Sequence, residues 1–164
     1  METIQFRSGV LETDQDAVLQ IVKSSGFFNN EEQDVAVELV TERLEKGESS
    51  GYYFIFAELE DKVVGYSCFG PIPGTASSYD LYWIAVDDSY RGRNIGRQII
   101  EKSEQRIAEM GGTRIYVETS SRAQYKPTRH FYLRCHYILE AELKDFYAKG
   151  DSKCIFIKIL NEDS

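Results

Sequence analysis

The chain has 164 residues, 42% of them hydrophobic and 28% charged, with a net charge of −8. That length fits one domain spanning 1–164, able to bury roughly 70% of its unfolded surface without help from a metal or disulfides. The acidic balance argues against general nucleic-acid binding and no apolar run nears the ~20 residues of a membrane span; with no signal-peptide features in Met1-Glu2-Thr3-Ile4, the cytoplasm is the expected compartment.

Ile4-Gln5-Phe6-Arg7 alternates like a short strand. Asp14 or Asp16 can cap a helix that turns Ala17, Val18, Ile21 and Val22 inward and ends near Gly26. Asn29 or Asn30 can cap a second helix, carrying Val35, Val37, Leu39, Val40 and Leu44 to a stop at Gly47. Two β-branched and aromatic runs, from Gly51 to Leu59 and from Lys62 to Phe69, are joined at Glu60-Asp61 and predict a hairpin. Pro71-Ile72-Pro73-Gly74 breaks the sheet before a strand over Tyr79–Val86. A helix through Ile99, Ile100, Ile107 and Met110 follows and stops at Gly111-Gly112. Arg114–Glu118 is the next strand, parallel to the previous one if the helix makes a standard crossover. A short helix over Thr128–Cys135 precedes an antiparallel pair, Tyr137–Phe146 and Lys153–Leu160. The order is β-α-α-β-β-β-α-β-α-β-β.

Cys68, Cys135 and Cys154 are an odd number without C-x-x-C spacing, so neither a disulfide framework nor a metal site is expected. Acids crowd the stretch from Glu31 to Glu48; a solvated helix face explains them better than a cationic ligand does. Basic residues fall in two islands. One is Arg91, Arg93 and Arg97; the other is Arg122, Lys126, Arg129 and Arg134, in a stretch without acids between Thr119 and Leu139. Both suit a polyanionic ligand.

The first island is the sharper signal. Arg91-Gly92-Arg93-Asn94-Ile95-Gly96-Arg97 stands between an apolar strand and a helix. Helix-start amides have no intrahelical acceptor and lie at the positive end of the dipole. Glycine allows close approach of that backbone, and arginine adds fixed charge with forked donors, so the expected occupant is a phosphate or pyrophosphate. Neither G-x-x-x-x-G-K-[ST] nor a complete G-x-G-x-x-G with a downstream acid is present.

Arg91-x-x-Asn94-x-Gly96 resembles the [Arg/Gln]-x-x-Gly-x-[Gly/Ala] signature of the GNAT superfamily of acyl-coenzyme A-dependent N-acyltransferases, with Asn94 in place of the first glycine. Tyr125-x-x-Thr128-x-x-Phe131-Tyr132-x-x-x-His136-Tyr137 is similar to its second motif, Asn-x-x-Ala-x-x-[Phe/Leu]-Tyr-x-x-x-Gly-[Phe/Tyr]; here Tyr125, Thr128 and His136 depart from the pattern. The resemblance implies an α/β (α+β) fold with a mixed, centrally splayed sheet of about seven strands and helices on both faces. It implies acetyl-CoA as co-substrate. Arg91, Gly92, Arg93, Asn94, Ile95, Gly96 and Arg97 would then hold the pyrophosphate. Tyr125 and Thr128 would lie along the pantetheine arm, and the backbone of Ile84, Ala85 and Val86 would pair with it and polarise the thioester.

For the chemistry, the resemblance points to Tyr132 as the acid that protonates the departing thiolate. Asp80, on the strand before the turn, is the first candidate base, and Glu118 on the neighbouring strand is the second. His130 and His136 fall at no base position of the family. The expected reaction is acetyl transfer to a primary amine, of a small molecule in the first reading and of a peptide or protein N-terminus in the second. A rival of another class is a coenzyme A-binding sensor without turnover. The partners expected are the amine and, as an option, a second copy forming a homodimer; nucleic acid, membrane and metal are not expected.

Overall fold

The computed structural model describes residues 3–26 and 28–160. Met1 and Glu2, part of the N-terminal stretch read above for leader features, lie outside the described residues. The elements are β1 (Gln5–Arg7), α1 (Asp14–Ser24), α2 (Asn30–Lys46), β2 (Tyr53–Leu59), β3 (Lys62–Pro71), β4 (Ser78–Val86), α3 (Ile95–Glu109), β5 (Arg114–Ser120), α4 (Lys126–Arg134), β6 (Ile138–Ala148) and β7 (Asp151–Ile159). They build one seven-stranded sheet in the order β1-β2-β3-β4-β5-β7-β6. β4 and β5 run parallel, and β1–β2, β2–β3, β5–β7 and β6–β7 antiparallel, so the sheet is mixed. The β4–β5 register runs from Ser78↔Arg114 to Asp80↔Tyr116.

The chain divides into two compact units. The first runs to Gly70 and takes up Tyr82–Arg106. Its core joins Val18, Ile21 and Val22 of α1, Ala36 and Val40 of α2, Phe54 and Phe56 of β2, and Tyr66 and Cys68 of β3. Phe54 and Phe56 stack at 5.5 Å, an arrangement that buries large rings with favourable offset geometry. The β2–β3 turn is tight, with Glu60 and Asp61 both left-handed at φ 50° and 64°, as a two-residue hairpin of matching twist requires. α3 lies close to β3: a Cβ on Gly65 would stand 2.8 Å from Ile99 Cδ1 and 3.1 Å from the Ala85 carbonyl oxygen. Glycine is what lets these surfaces meet. Ser67 Oγ and Ser103 Oγ pair at 2.6 Å inside the same contact, leaving neither buried hydroxyl unmet.

Two details of the helices differ from the sequence reading. Asn29 caps α2 in a full capping box with Glu32, as expected, but α1 has Thr13 at its N-cap without a side-chain bond. Asp14 is instead buried against Arg7, which donates to it at 2.7 and 2.9 Å, and it also accepts from the Leu11 amide at 2.7 Å. On α2 the buried positions are Ala36 and Val40, while Val35 is 46% exposed. A helix turns about 100° per residue, and the small Ala36 fits the stripe that faces α1 where Val35 falls off it.

The second unit comprises Pro71–Leu81 and the chain from Ile107 onward. β5 pairs with β7 from Arg114↔Ile159 to Ser120↔Lys153, and β6 closes a hairpin on β7. Gly112 lies so close to Tyr79, with the ring 2.7 Å from where a Cβ would be, that no side chain fits. α4 packs Tyr132 into this unit's core, with ring centroids 5.8 Å from Tyr137 and 6.0 Å from Phe156.

Candidate active site

The turn after β4 belongs to the first unit. It begins with a short 3-10 turn, Asp88–Tyr90, capped by Asp87, whose carboxylate accepts from the Ser89 amide at 2.9 Å. Gly92 and Asn94 are then both left-handed, at φ 79° and 62°. Asn94 thus adopts the conformation that the family pattern fills with glycine, one that asparagine enters more readily than other side-chain-bearing residues. The first hydrogen bond of α3 runs from the Gln98 amide to the Asn94 carbonyl, at 3.3 Å. The amides of Ile95, Gly96 and Arg97 therefore precede the first intrahelical donor. There is no acid in the first turn of α3 to compete for them.

The arginines of this turn lie at the surface. Arg91 pairs with Asp88 at 3.0 Å, Arg97 with Glu101 at 3.3 Å, and the Arg93 guanidinium lies over the Tyr90 ring at 5.2 Å. The two ion pairs join solvated side chains, about half exposed on each partner, and such pairs hold their members weakly. An incoming anion can take either guanidinium from its partner at small cost.

Asp80, Glu118, Tyr125, Thr128 and Tyr132 belong to the second unit. Asp80 stands opposite Tyr116 in the β4–β5 register, with Glu118 two residues farther along β5. Asp80 is half-buried, and that burial, followed by the nearby Glu118 charge, raises its carboxyl above the usual range; Lys153 opposes the rise. Lys153 Nζ is bound to Glu118 at 3.0 Å and lies 4.3 Å from the centre of the Phe146 ring. Glu118 is thus held by a cation, whereas Asp80 is half-buried with a raised carboxyl. The structure brings the two candidate bases near each other and pairs one of them, Glu118, with Lys153.

Tyr132 is 5% exposed, and burial pushes its phenol well above the ordinary range. It therefore keeps its proton throughout neutral pH. Tyr125 and Thr128 sit half-buried at the start of α4, where Pro127 occupies a first-turn position that needs no amide donor. His136 is left-handed at φ 70°, again where the family pattern has glycine. It and His130 are exposed. Cys68, Cys135 and Cys154 are all buried, and none forms a disulfide. The described residues hold no group of three or more His, Cys, Asp or Glu placed to bind a metal, and no helix among them is long and apolar enough to cross a membrane.

The second basic island is partly consumed by the fold. Arg129 donates to the Ser120 and Arg122 carbonyls at 2.7 and 2.9 Å, fastening α4 to the end of β5. Arg122 reaches Asp151 at 3.3 Å, and Asp151 also accepts a short hydrogen bond from the Ser120 hydroxyl. Sequence reasoning missed Lys153 and Tyr147. Tyr147, 48% exposed, has its phenol raised by partial burial and then by the Glu118 and Asp151 charges. The hairpin pattern of β6 and β7 was visible, but which lysine would face Glu118 follows only from the Glu118↔Ile155 and Ser120↔Lys153 register.

The model of the acetyltransferase (GNAT) family matches residues 16–137. A protein of Desulfovibrio desulfuricans assigned to the GNAT family of acetyltransferases has a crystal structure that superposes with a TM-score of 0.96 at 42% identity, over 97% of this chain and 100% of that one. The aminoglycoside 6'-N-acetyltransferase from Enterococcus faecium gives a TM-score of 0.78 at 18% identity, over 99% of both chains. The PaiA N-acetyltransferase from Thermoplasma acidophilum, crystallised in complex with coenzyme A, gives 0.71 at 18% identity, over 96% of this chain and 99% of that one. The last two likenesses are of fold. No curated protein matches the sequence at a significant level.

Proposed function

The chain belongs to the acetyltransferase (GNAT) family, and from that premise we propose that it is an N-acetyltransferase, moving the acetyl group of acetyl-CoA to a primary amine of a small molecule by direct attack. The family match runs through both units, which supports taking 1–164 as one domain. The observation that carries the reading is the turn from Arg91 to Arg97. Left-handed Gly92 and Asn94, a helix start without acids and three surface guanidiniums are the donor set a pyrophosphate needs. Acetyl-CoA supplies an acetyl group already activated as a thioester.

The chain's own residues have four tasks in this reaction. The turn holds the pyrophosphate through the amides of Ile95, Gly96 and Arg97 and the side chains of Arg91, Arg93 and Arg97. The backbone of Ile84, Ala85 and Val86 lies along the pantetheine arm and supplies an amide to the thioester carbonyl, with Tyr125 and Thr128 as further contacts of the arm. Asp80 takes the proton of the ammonium; burial gives its carboxylate more affinity for that proton than an exposed acid has. Tyr132, protonated throughout neutral pH, returns a proton to the leaving sulfur. Glu118, paired to Lys153, is the second candidate base and holds charge near Asp80.

Incubating the chain with acetyl-CoA and a panel of amines, while following thiol release and product mass, tests this. The expected result is thiol release that depends on an amine and a product heavier by one acetyl group. Binding of acetyl-CoA without release over a broad panel, including peptide N-termini, would return the chain to a sensor role.

A further inference from the structure

Tyr90 ends the short 3-10 turn at the root of the Gly/Arg turn, and two cations converge on its ring. The Arg93 guanidinium lies 5.2 Å from the ring centre and the Lys62 ammonium 5.5 Å. Lys62 is the first residue of β3, well upstream of both basic islands in sequence. Its place is set by the fold. The hairpin turn before it holds Glu60 and Asp61 left-handed. Two residues farther along β3, the Val64 carbonyl accepts from the Asp87 amide at 2.8 Å. The Ser24 hydroxyl, at the end of α1, accepts from the Asp88 amide at 3.0 Å. These bonds tie the root of the turn to β3 and α1, and so bring the Tyr90 ring to Lys62.

Two cations gathered on one ring call for an anion. A ring face attracts an exposed cation only weakly, and the like charges repel each other. Lys62 and Arg93 are both exposed. Arg91 and Arg97 have acids of their own, Asp88 and Glu101. Lys62 makes no ion pair among the described residues, not even with Glu60 or Asp61 beside it in sequence. Coenzyme A carries a phosphate beyond its pyrophosphate. That 3′-phosphate is a monoester with a second pKa of about 6, so it holds close to two charges at neutral pH. An ammonium on a flexible stem suits a point contact with such a group.

We propose that Lys62, with Arg93 on the same Tyr90 ring, is the subsite for the 3′-phosphate of coenzyme A, so that the chain distinguishes coenzyme A from 3′-dephospho-coenzyme A. The proposal rests on the reading of the turn from Arg91 to Arg97 as the pyrophosphate site. Calorimetry of the two ligands against the full chain at low salt tests it. The parent binds coenzyme A about fivefold or more tighter than the dephospho form. Lys62→Met lowers coenzyme A affinity to that of the dephospho form and leaves the dephospho form within about twofold, a split that a merely structural lysine would not produce. Lys62→Arg keeps the preference, and Lys62→Glu, which sets like charges together, reverses it. Lys126→Met, in the second basic island, leaves it unchanged. Equal affinities of the parent for the two ligands overturn the proposal and leave the pyrophosphate site standing; a parent that binds neither overturns both. A preference that survives Lys62→Met, or that vanishes with Lys126→Met instead, also overturns it.

Discussion

Arg91→Ala separates a ligand-binding arginine from a merely solvated one. In the free protein Arg91 makes one ion pair, to Asp88 at 3.0 Å, with 53% and 57% of the two side chains exposed. Exposed pairs of this kind contribute about 0–1 kcal/mol, so the variant should unfold in urea within about 0.5 kcal/mol of the parent. Against a pyrophosphate the same guanidinium makes a charge-assisted contact, whose loss costs about 1.5–3 kcal/mol. Acetyl-CoA affinity by calorimetry should therefore fall about ten- to a hundredfold while stability stays put. Asp88→Ala makes the reasoning sharper. It removes Arg91's competing partner and a negative charge beside the turn, so it should leave affinity equal or slightly better, and both effects should shrink as salt rises. An Arg91→Ala protein that binds acetyl-CoA as tightly as the parent would refute the assignment of the turn. An affinity loss matched by an equal loss of stability would mean that Arg91 acts through the fold.

Tyr132→Phe should lower kcat about a hundredfold with acetyl-CoA affinity nearly unchanged, since the ring packing on Tyr137 and Phe156 is retained and only a proton donor goes; an unchanged kcat with chemistry rate-limiting would make Tyr132 a core residue only. Asp14→Ala should cost about 3 kcal/mol in urea unfolding, the lower end for breaking a buried ion pair, because Arg7 keeps Glu58 at 3.4 Å and the Gly9 carbonyl at 2.6 Å. A loss under about 1 kcal/mol would show that Arg7 is fully rescued by those partners. His136→Gly should raise stability by up to about 1 kcal/mol, as glycine relieves an exposed left-handed residue at φ 70° and loses part of that gain to chain entropy; a clear loss in thermal unfolding would assign the imidazole a contact. For pH, Asp80 must be deprotonated to act, and burial and then Glu118 raise its pKa. The acid limb of kcat/KM should therefore lie above the usual carboxylate range. Lys153→Met, which removes the one opposing charge, should move that limb to higher pH. In stability the sign is reversed: a raised carboxyl favours the fold below its unfolded pKa and loses that contribution as pH climbs through the folded one. Asp80→Asn should then be neutral to stabilising at pH 7, and a limb unmoved by either variant would remove Asp80 as the base.

Much of this arrangement could be read from the chain because its signals are local. The capping box at Asn29 and Glu32, the turn at Glu60-Asp61 and the Gly/Arg turn before α3 each lie within a few residues of sequence. Local propensity and local hydrogen bonding decide such features. The two departures at family glycines became intelligible once the backbone was seen. Asn94 and His136 are both left-handed, so the pattern's glycines mark a conformation, and these two residues meet the conformation with a side chain attached. Asp14 was misread for the complementary reason. At a helix start an aspartate is locally a cap, and only a strand seven residues earlier in sequence supplies the arginine that captures it.

The inequality between the two carboxylates is the least local feature and the one that bears most on chemistry. Asp80, Glu118 and Lys153 lie on three strands, β4, β5 and β7, and no spacing rule links them. What joins them is register: Asp80↔Tyr116 in one ladder, Ser120↔Lys153 in the other. Since a one-residue slip in a strand moves a side chain to the opposite face, a slip of β7 against β5 would free Glu118 from its cation and leave two unpaired acids side by side. The β5–β7 pairing, seven residues long from Arg114↔Ile159 to Ser120↔Lys153, therefore does more than close the sheet. By holding Lys153 on Glu118 it leaves Asp80 as the carboxylate whose proton affinity burial can tune.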